Sequence, residues 1–134
     1  MIQIIDASVA LKWVHEESGS ERAREVLFDL QEHPKAFAVP ELFYFEMEAI
    51  LLRLFIASKV SSIMDGLIRL GIYRYNMDLE LAQETAALAE KYKLTGYDAS
   101  YVALATLLKG KWITFDHKAS VRLQHNPFCK YLGP

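Results

Sequence analysis

Hydrophobic and polar positions fall into blocks along this chain, and the period changes from block to block. Ile2 to Ile5 is a short run rich in β-branched residues that stops at an acid, which predicts a buried strand, and Ala7 to Val14 then follows helical spacing. From Ser20 to Gln31 charged residues alternate with Ala23, Val26, Leu27 and Leu30, a helix opened by Ser18-Gly19-Ser20 and closed by His33-Pro34. Ala36 to Val39 predicts a second strand. Pro40, well tolerated in a first helical turn, starts a long helix to about Ser58.

Beyond it, Ser61 to Leu70 predicts a shorter helix stopped by Gly71, and Ile72 to Tyr75 a third strand. Asp78 caps a helix to about Lys93 with Leu81, Thr85, Leu88 and Ala89 on one face. Leu94-Thr95-Gly96 breaks the chain before a helix that ends near Gly110, and Lys111 to Phe115 is a fourth strand followed by Asp116. A short helix and a candidate fifth edge strand at Phe128 to Leu132 complete the pattern. Strands alternating with helices predict a parallel sheet covered on both faces: a three-layer α/β/α fold with a mostly parallel sheet of four or five strands, one domain over residues 1–134. In such sheets ligands bind beyond the carboxyl ends of the strands, which gives weight to Asp6 and Asp116.

Composition narrows the class. The chain has 134 residues, 52% hydrophobic and 24% charged, the profile of an ordinary folded domain. A formal net charge of -2 provides no global basic field, so any attraction for nucleic acid must come from a local patch or from bound cations. The single cysteine, Cys129, forms no internal disulfide, and the N-terminus lacks the pattern of an export signal; both favour the cytoplasm. The most apolar stretch, Leu42 to Ala57, is interrupted by Glu46, Glu48 and Arg53 and is shorter than the about 20 apolar residues a bilayer span requires. No membrane association is expected.

The candidate chemistry is acidic. Asp6 and Asp116 each follow a strand and could simply cap the next helix, and Thr95-Gly-Tyr-Asp98 has capping-box spacing with Asp as a shorter variant of the usual Glu. Glu46 lies about two turns inside the long helix, where no capping role exists. If its face is buried, the carboxylate needs a metal or a partner, and Arg53 at i+7 is a long reach. Glu48 points to the other side, and Glu41 is accounted for by the helix dipole. Four carboxylates gathered without cations repel strongly, so a protein that gathers them holds divalent metal. Oxygen-only ligation favours Mg²⁺ or Mn²⁺ over Zn²⁺, and no His/Cys cluster competes. Two such ions roughly 3.5 to 4 Å apart activate water and stabilise the leaving oxygen of a phosphodiester. That chemistry is conditional on the four acids meeting.

Four stretches carry a resemblance. "IIDASVALKWV", "VPELFYFEMEAIL", "LTGYDASYVALA" and "WITFDHKA" resemble, in order and over nearly the whole chain, the four sequence blocks of PIN domains, most closely those of VapC-type toxins from toxin-antitoxin pairs. The resemblance implies a central sheet with four acids at one rim, here Asp6, Glu46, Asp98 and Asp116, binding Mg²⁺ or Mn²⁺ and hydrolysing RNA. It also places Ser8 and Thr114 where small hydroxyl residues hydrogen-bond a carboxylate or a metal water. Phe115 and Trp112 are bulkier than the family pattern but remove no ligand. The implied activity is that of an endoribonuclease toxin; the alternatives are a PIN-fold binding or regulatory module with little turnover, or a stand-alone RNA-processing nuclease.

Other residues stay open between two roles. Lys12 either touches phosphate or is solvated, His117 either meets substrate or lies exposed in a loop, and Arg53 is a candidate counter-ion to the acidic rim. The long helix carries Tyr44, Met47, Leu51, Leu54 and Phe55 opposite the Glu46 face, so it is apolar almost all round. Either a second copy (a homodimer) or an antitoxin segment covers it, or the Ser61 to Leu70 helix does so from within the fold.

Overall fold

Ile4 and Ile5 have no solvent-exposed surface because the strand that carries them runs through the middle of the molecule. The computed structural model describes residues 1–134, with strands β1 (Gln3–Ile5), β2 (Phe37–Pro40), β3 (Tyr73–Tyr75), β4 (Lys111–Thr114) and β5 (Cys129–Tyr131). All pairings are parallel, in the order β3-β2-β1-β4-β5. Helices cover both faces: α1 (Ala7–Val14), α2 (Ser20–Glu32), α3 (Leu42–Leu54), α4 (Ala57–Arg69), α5 (Leu79–Tyr92), α6 (Gly96–Leu107) and α7 (His117–Arg122). The fold is the expected three-layer α/β/α arrangement. Burial on both faces explains why the central strands read as continuous apolar runs, with Phe37, Val39, Trp112 and Ile113 all in the core.

Strand order reverses direction at β1, since the chain goes from β1 to β2 on one side and reaches β4 on the other. The register pairs Ile5 with Ile113, so the next residues along, Asp6 and Thr114, emerge side by side at the carboxyl edge of the sheet. The approach of the two strands is close. A Cβ at Gly110 would fall 2.1 Å from the Ile2 carbonyl oxygen, the same oxygen that accepts the Lys111 N–H at 2.9 Å.

The expected helix from Pro40 to Ser58 is corrected. Pro40 ends β2, α3 stops at Leu54, and α4 begins at Ala57 rather than Ser61. Phe55 is extended (φ −136°, ψ 160°), and no glycine or proline marks the break. Its reason is tertiary: the turn folds Val60, Met64 and Leu67 back into the core, where a continuous helix would carry them away from it. On α3 the inner side is Phe43, Tyr44, Met47 and Leu51, while Phe45 and Leu52 are exposed; Leu54, grouped from sequence with Tyr44, Met47 and Leu51 opposite the Glu46 face, is exposed as well. No helix is long and apolar enough to cross a membrane.

Candidate active site at the carboxyl edge of the sheet

Asp6 is the centre of the arrangement. It caps α1 through Ala7 N–H (2.9 Å to Oδ1), while the hydroxyls of Thr114 and Ser8 both donate to Oδ2, at 2.6 and 2.8 Å. Each hydroxyl has one proton, and each gives it to Asp6. The 3.4 Å contact between Ser8 and Thr114 is therefore a consequence of their shared acceptor. Their lone pairs are used as well: Ser8 Oγ accepts Phe115 N–H at 3.0 Å and Thr114 Oγ1 accepts Asp116 N–H at 2.9 Å. Asp116 then caps α7 by accepting Ala119 N–H at 3.1 Å. Two loops leaving adjacent strands are thus knitted together around one carboxylate.

The other two acids sit on helices and are held more loosely. Thr95 Oγ1 accepts the Asp98 N–H at 3.0 Å, the first half of a capping box. Glu46 receives its only hydrogen bond from the Tyr101 hydroxyl, at 2.6 Å to Oε1, across 55 positions of sequence. Arg53 is exposed, so the partner is Tyr101 and neither the ion pair with Glu46 nor the rim counter-ion role is formed by it. Sequence reasoning missed Tyr101, although its signal was present: it lies three residues after Asp98 on one face of α6.

The electrostatics join the four acids into one group. Burial pushes Asp6 up to about 6 against the pull of its hydroxyl donors, and the Glu46 charge adds to the rise. Burial likewise raises Asp98 to about 6, helped by the charges of Asp116 and Asp6. Glu46 is raised by burial and by Asp98, with the Tyr101 bond opposing. The Tyr101 phenol is driven far up by burial and by the surrounding carboxylates, so it stays a proton donor. Cys129 on β5, also overlooked from sequence as a neighbour, is pushed up to about 11 by burial and by Asp6 and Asp116, and so remains a thiol.

Asp98 and Asp116 line a cavity of about 180 Å³ together with Thr95, Lys118 and Arg122. Arg122, anchored on the Lys93 carbonyl, partly offsets the charges that raise Asp98. Lys12 is directed elsewhere: it pairs with Glu17 at 2.8 Å and lies 4.7 Å from the Phe115 ring centroid, so it is neither solvated nor turned to the acids. His117 is exposed in the first turn of α7, with its ring against Tyr131. The donor chemistry fits a hard divalent cation, because mutually repelling, partly desolvated carboxylates are what such an ion neutralises. No three of the carboxylates stand together as a ready-made coordination sphere.

Comparison with known proteins places this fold. The family model for the PIN domain matches residues 4–122, and the chain belongs to the PIN domain family. Its structure is similar to a chain of a toxin-antitoxin complex from Klebsiella pneumoniae (TM-score 0.70, 18% identity, 97% of each chain covered). It is similar also to PAE2754 from Pyrobaculum aerophilum (TM-score 0.70, 19% identity, covering 98% of this chain and 90% of that one). A third similar structure is FitAB bound to an IR36 DNA fragment (TM-score 0.76, 15% identity, 98% of this chain and 95% of that one). No curated protein matches the sequence at a significant level.

Proposed function

We propose that this PIN domain is a divalent-metal-dependent endoribonuclease, the VapC-like toxin of a toxin-antitoxin pair. The observation that carries the reading is electrostatic: Asp6, Glu46 and Asp98 are each raised by burial and by another acid of the set, and Asp116 acts on Asp98. Metal-free, that arrangement is costly, and Mg²⁺ or Mn²⁺ relieves it. Asp6, Glu46, Asp98 and Asp116 would hold the metal. When bound, the ion supplies Lewis acidity toward water and phosphodiester oxygen.

The chain's own residues contribute the rest. Ser8, Thr114 and Ala7 N–H fix the Asp6 carboxylate and leave part of Oδ1 for a further ligand. Lys118 and Arg122, in the cavity with Asp98 and Asp116, supply the local positive charge that the net charge of -2 lacks, and orient an RNA phosphate there. Residues 1–134 act as one domain, since β5 lies beyond the matched segment yet completes the same sheet.

An antitoxin is the proposed partner. Exposed apolar side chains, Phe45 (66%), Leu52 (55%) and Ile56 (75%), lie along α3 and the turn after it, as a helical segment of a partner would require. Similarity to a chain of the Klebsiella pneumoniae toxin-antitoxin complex supports the same reading. A homodimer through this face is the competing arrangement, and the mass of the purified protein in solution separates the two.

The test of function incubates antitoxin-free protein with total RNA and Mg²⁺ or Mn²⁺, beside an EDTA control and the Asp98→Asn variant. Discrete cleavage lost in both controls is expected. Metal binding without cleavage would instead favour a PIN-fold binding module, and cleavage that persists in EDTA would overturn the metal mechanism.

A further inference from the structure

Glu46 is the acid of the set with the most freedom to lose. It has one more rotatable bond than the aspartates and projects from mid-helix, so ordering its side chain costs conformational entropy. Asp6 is fixed by three donors; Glu46 is fixed by one. That donor is itself immobile. The Tyr101 ring is 1% exposed and stacks on Trp112, with centroids 5.7 Å apart and planes 18° from parallel. Trp112 is fully buried in β4, paired with Ile4 of β1 and two residues before Thr114. A rigid path therefore runs from the central strands, which fix Asp6, through Trp112 and Tyr101 to Glu46 on a different element.

We propose that Tyr101 is a positioning residue for metal binding: its hydroxyl holds Glu46 Oε1 and leaves Oε2 without a protein donor, available to the ion. The proposal rests on the metal-dependent reading above. Its physical content is preorganisation. Without the hydroxyl, Glu46 must be ordered at the moment the metal binds, and affinity falls even though no ligand has been removed. Tyr101 lies one turn after Asp98 on α6, so one helix supplies an acid directly and orients a second through a hydrogen bond.

A double-mutant cycle read by Mn²⁺ binding, followed by electron paramagnetic resonance of the free ion, tests this without relying on turnover. Tyr101→Phe removes the hydroxyl and keeps the ring on Trp112. Mn²⁺ affinity is expected to fall about tenfold. In a Glu46→Gln background the same substitution should change affinity by less than about twofold, because the carboxylate through which Tyr101 acts is gone. Unchanged affinity in Tyr101→Phe, or an equal loss in both backgrounds, overturns the positioning role while leaving the metal site intact. Failure of the unsubstituted protein to bind Mn²⁺ removes the metal reading and this proposal together. Circular dichroism of each variant separates lost affinity from lost fold, and Tyr101→Phe with a native spectrum and native affinity counts against the proposal.

Discussion

The two halves of the acidic rim are built differently. Asp6 and Asp116 follow adjacent central strands, and a closed set of bonds through Ser8 and Thr114 ties them together. Asp98 and Glu46 project from α6 and α3, with Glu46 held by Tyr101 alone and Asp98 touched mainly through its backbone N–H. The strand half obtains its geometry from the sheet, where hydrogen-bonded register leaves little freedom. The helix half obtains it from packing, which fixes a helix axis better than it fixes the end of a long side chain. A rim made this way has one side held by a closed set of hydrogen bonds and one side held by few.

The largest effect should come from removing a charge on either side. Asp6→Asn and Asp98→Asn are each expected to reduce RNA cleavage by about a hundredfold or more. They should differ in stability. Asp98→Asn removes a charge that its neighbours oppose, so metal-free protein should melt at the same or a higher temperature at pH 7.5. Asp6→Asn disturbs the bonded set and should not gain in this way. A drop in melting temperature for Asp98→Asn would mean that the helix half, for all its sparse hydrogen bonding, is structurally essential.

Thr114→Val sharpens the contrast from the rigid side. It deprives a buried carboxylate of a donor and strands the Asp116 N–H, a loss of about 2–3 kcal/mol measured by denaturant unfolding. Cleavage should fall roughly tenfold or more with it. A change within about 0.5 kcal/mol would show that the bonded set contributes little rigidity.

Acidity gives a readout common to both halves. Asp6 and Asp98 bind protons more tightly in the folded chain, at about 6 against an ordinary 3.8, so between these values the folded state carries more protons than the unfolded one. Stability from this source is complete below the lower value and is lost as pH rises through the upper one. Metal-free protein should therefore melt several degrees higher at pH 5 than these two groups allow at pH 7.5. Mn²⁺ should raise the melting temperature more at pH 7.5 than at pH 5, because protons and metal compete for the same oxygens. An equal Mn²⁺ effect at both values would mean that these carboxylates are not the ligands.

The smallest effect is expected at Lys12. Its ammonium is engaged by Glu17 and Phe115, so Lys12→Gln should cost no more than about 1 kcal/mol of stability and change cleavage less than about twofold. A large loss of activity at unchanged melting temperature would return Lys12 to the role of phosphate contact.

Much of this could be read locally. Helical period and capping residues place α1, α5 and the start of α6 within a residue or two, because Asp6, Asp78 and Thr95 cap through near neighbours, and period alone places α2; α6 ends at Leu107, three residues before the expected Gly110. Capping does not keep these acids apart: Asp6 and Asp116 cap with their carboxylates and Asp98 donates its N–H to the Thr95 cap, yet the charges of Asp6 and Asp116 both act on Asp98. What the sequence by itself determined was therefore the strand and helix periods, the alternation that demands a parallel sheet, and acids set just beyond strands β1 and β4. Tertiary structure alone decided the rest: the break at Phe55, the pairing of Glu46 with Tyr101 rather than Arg53, and the diversion of Lys12 to Glu17. Period and capping involve residues within a few positions of one another, whereas those outcomes depend on which faces the crossovers press together and on how much water that contact removes.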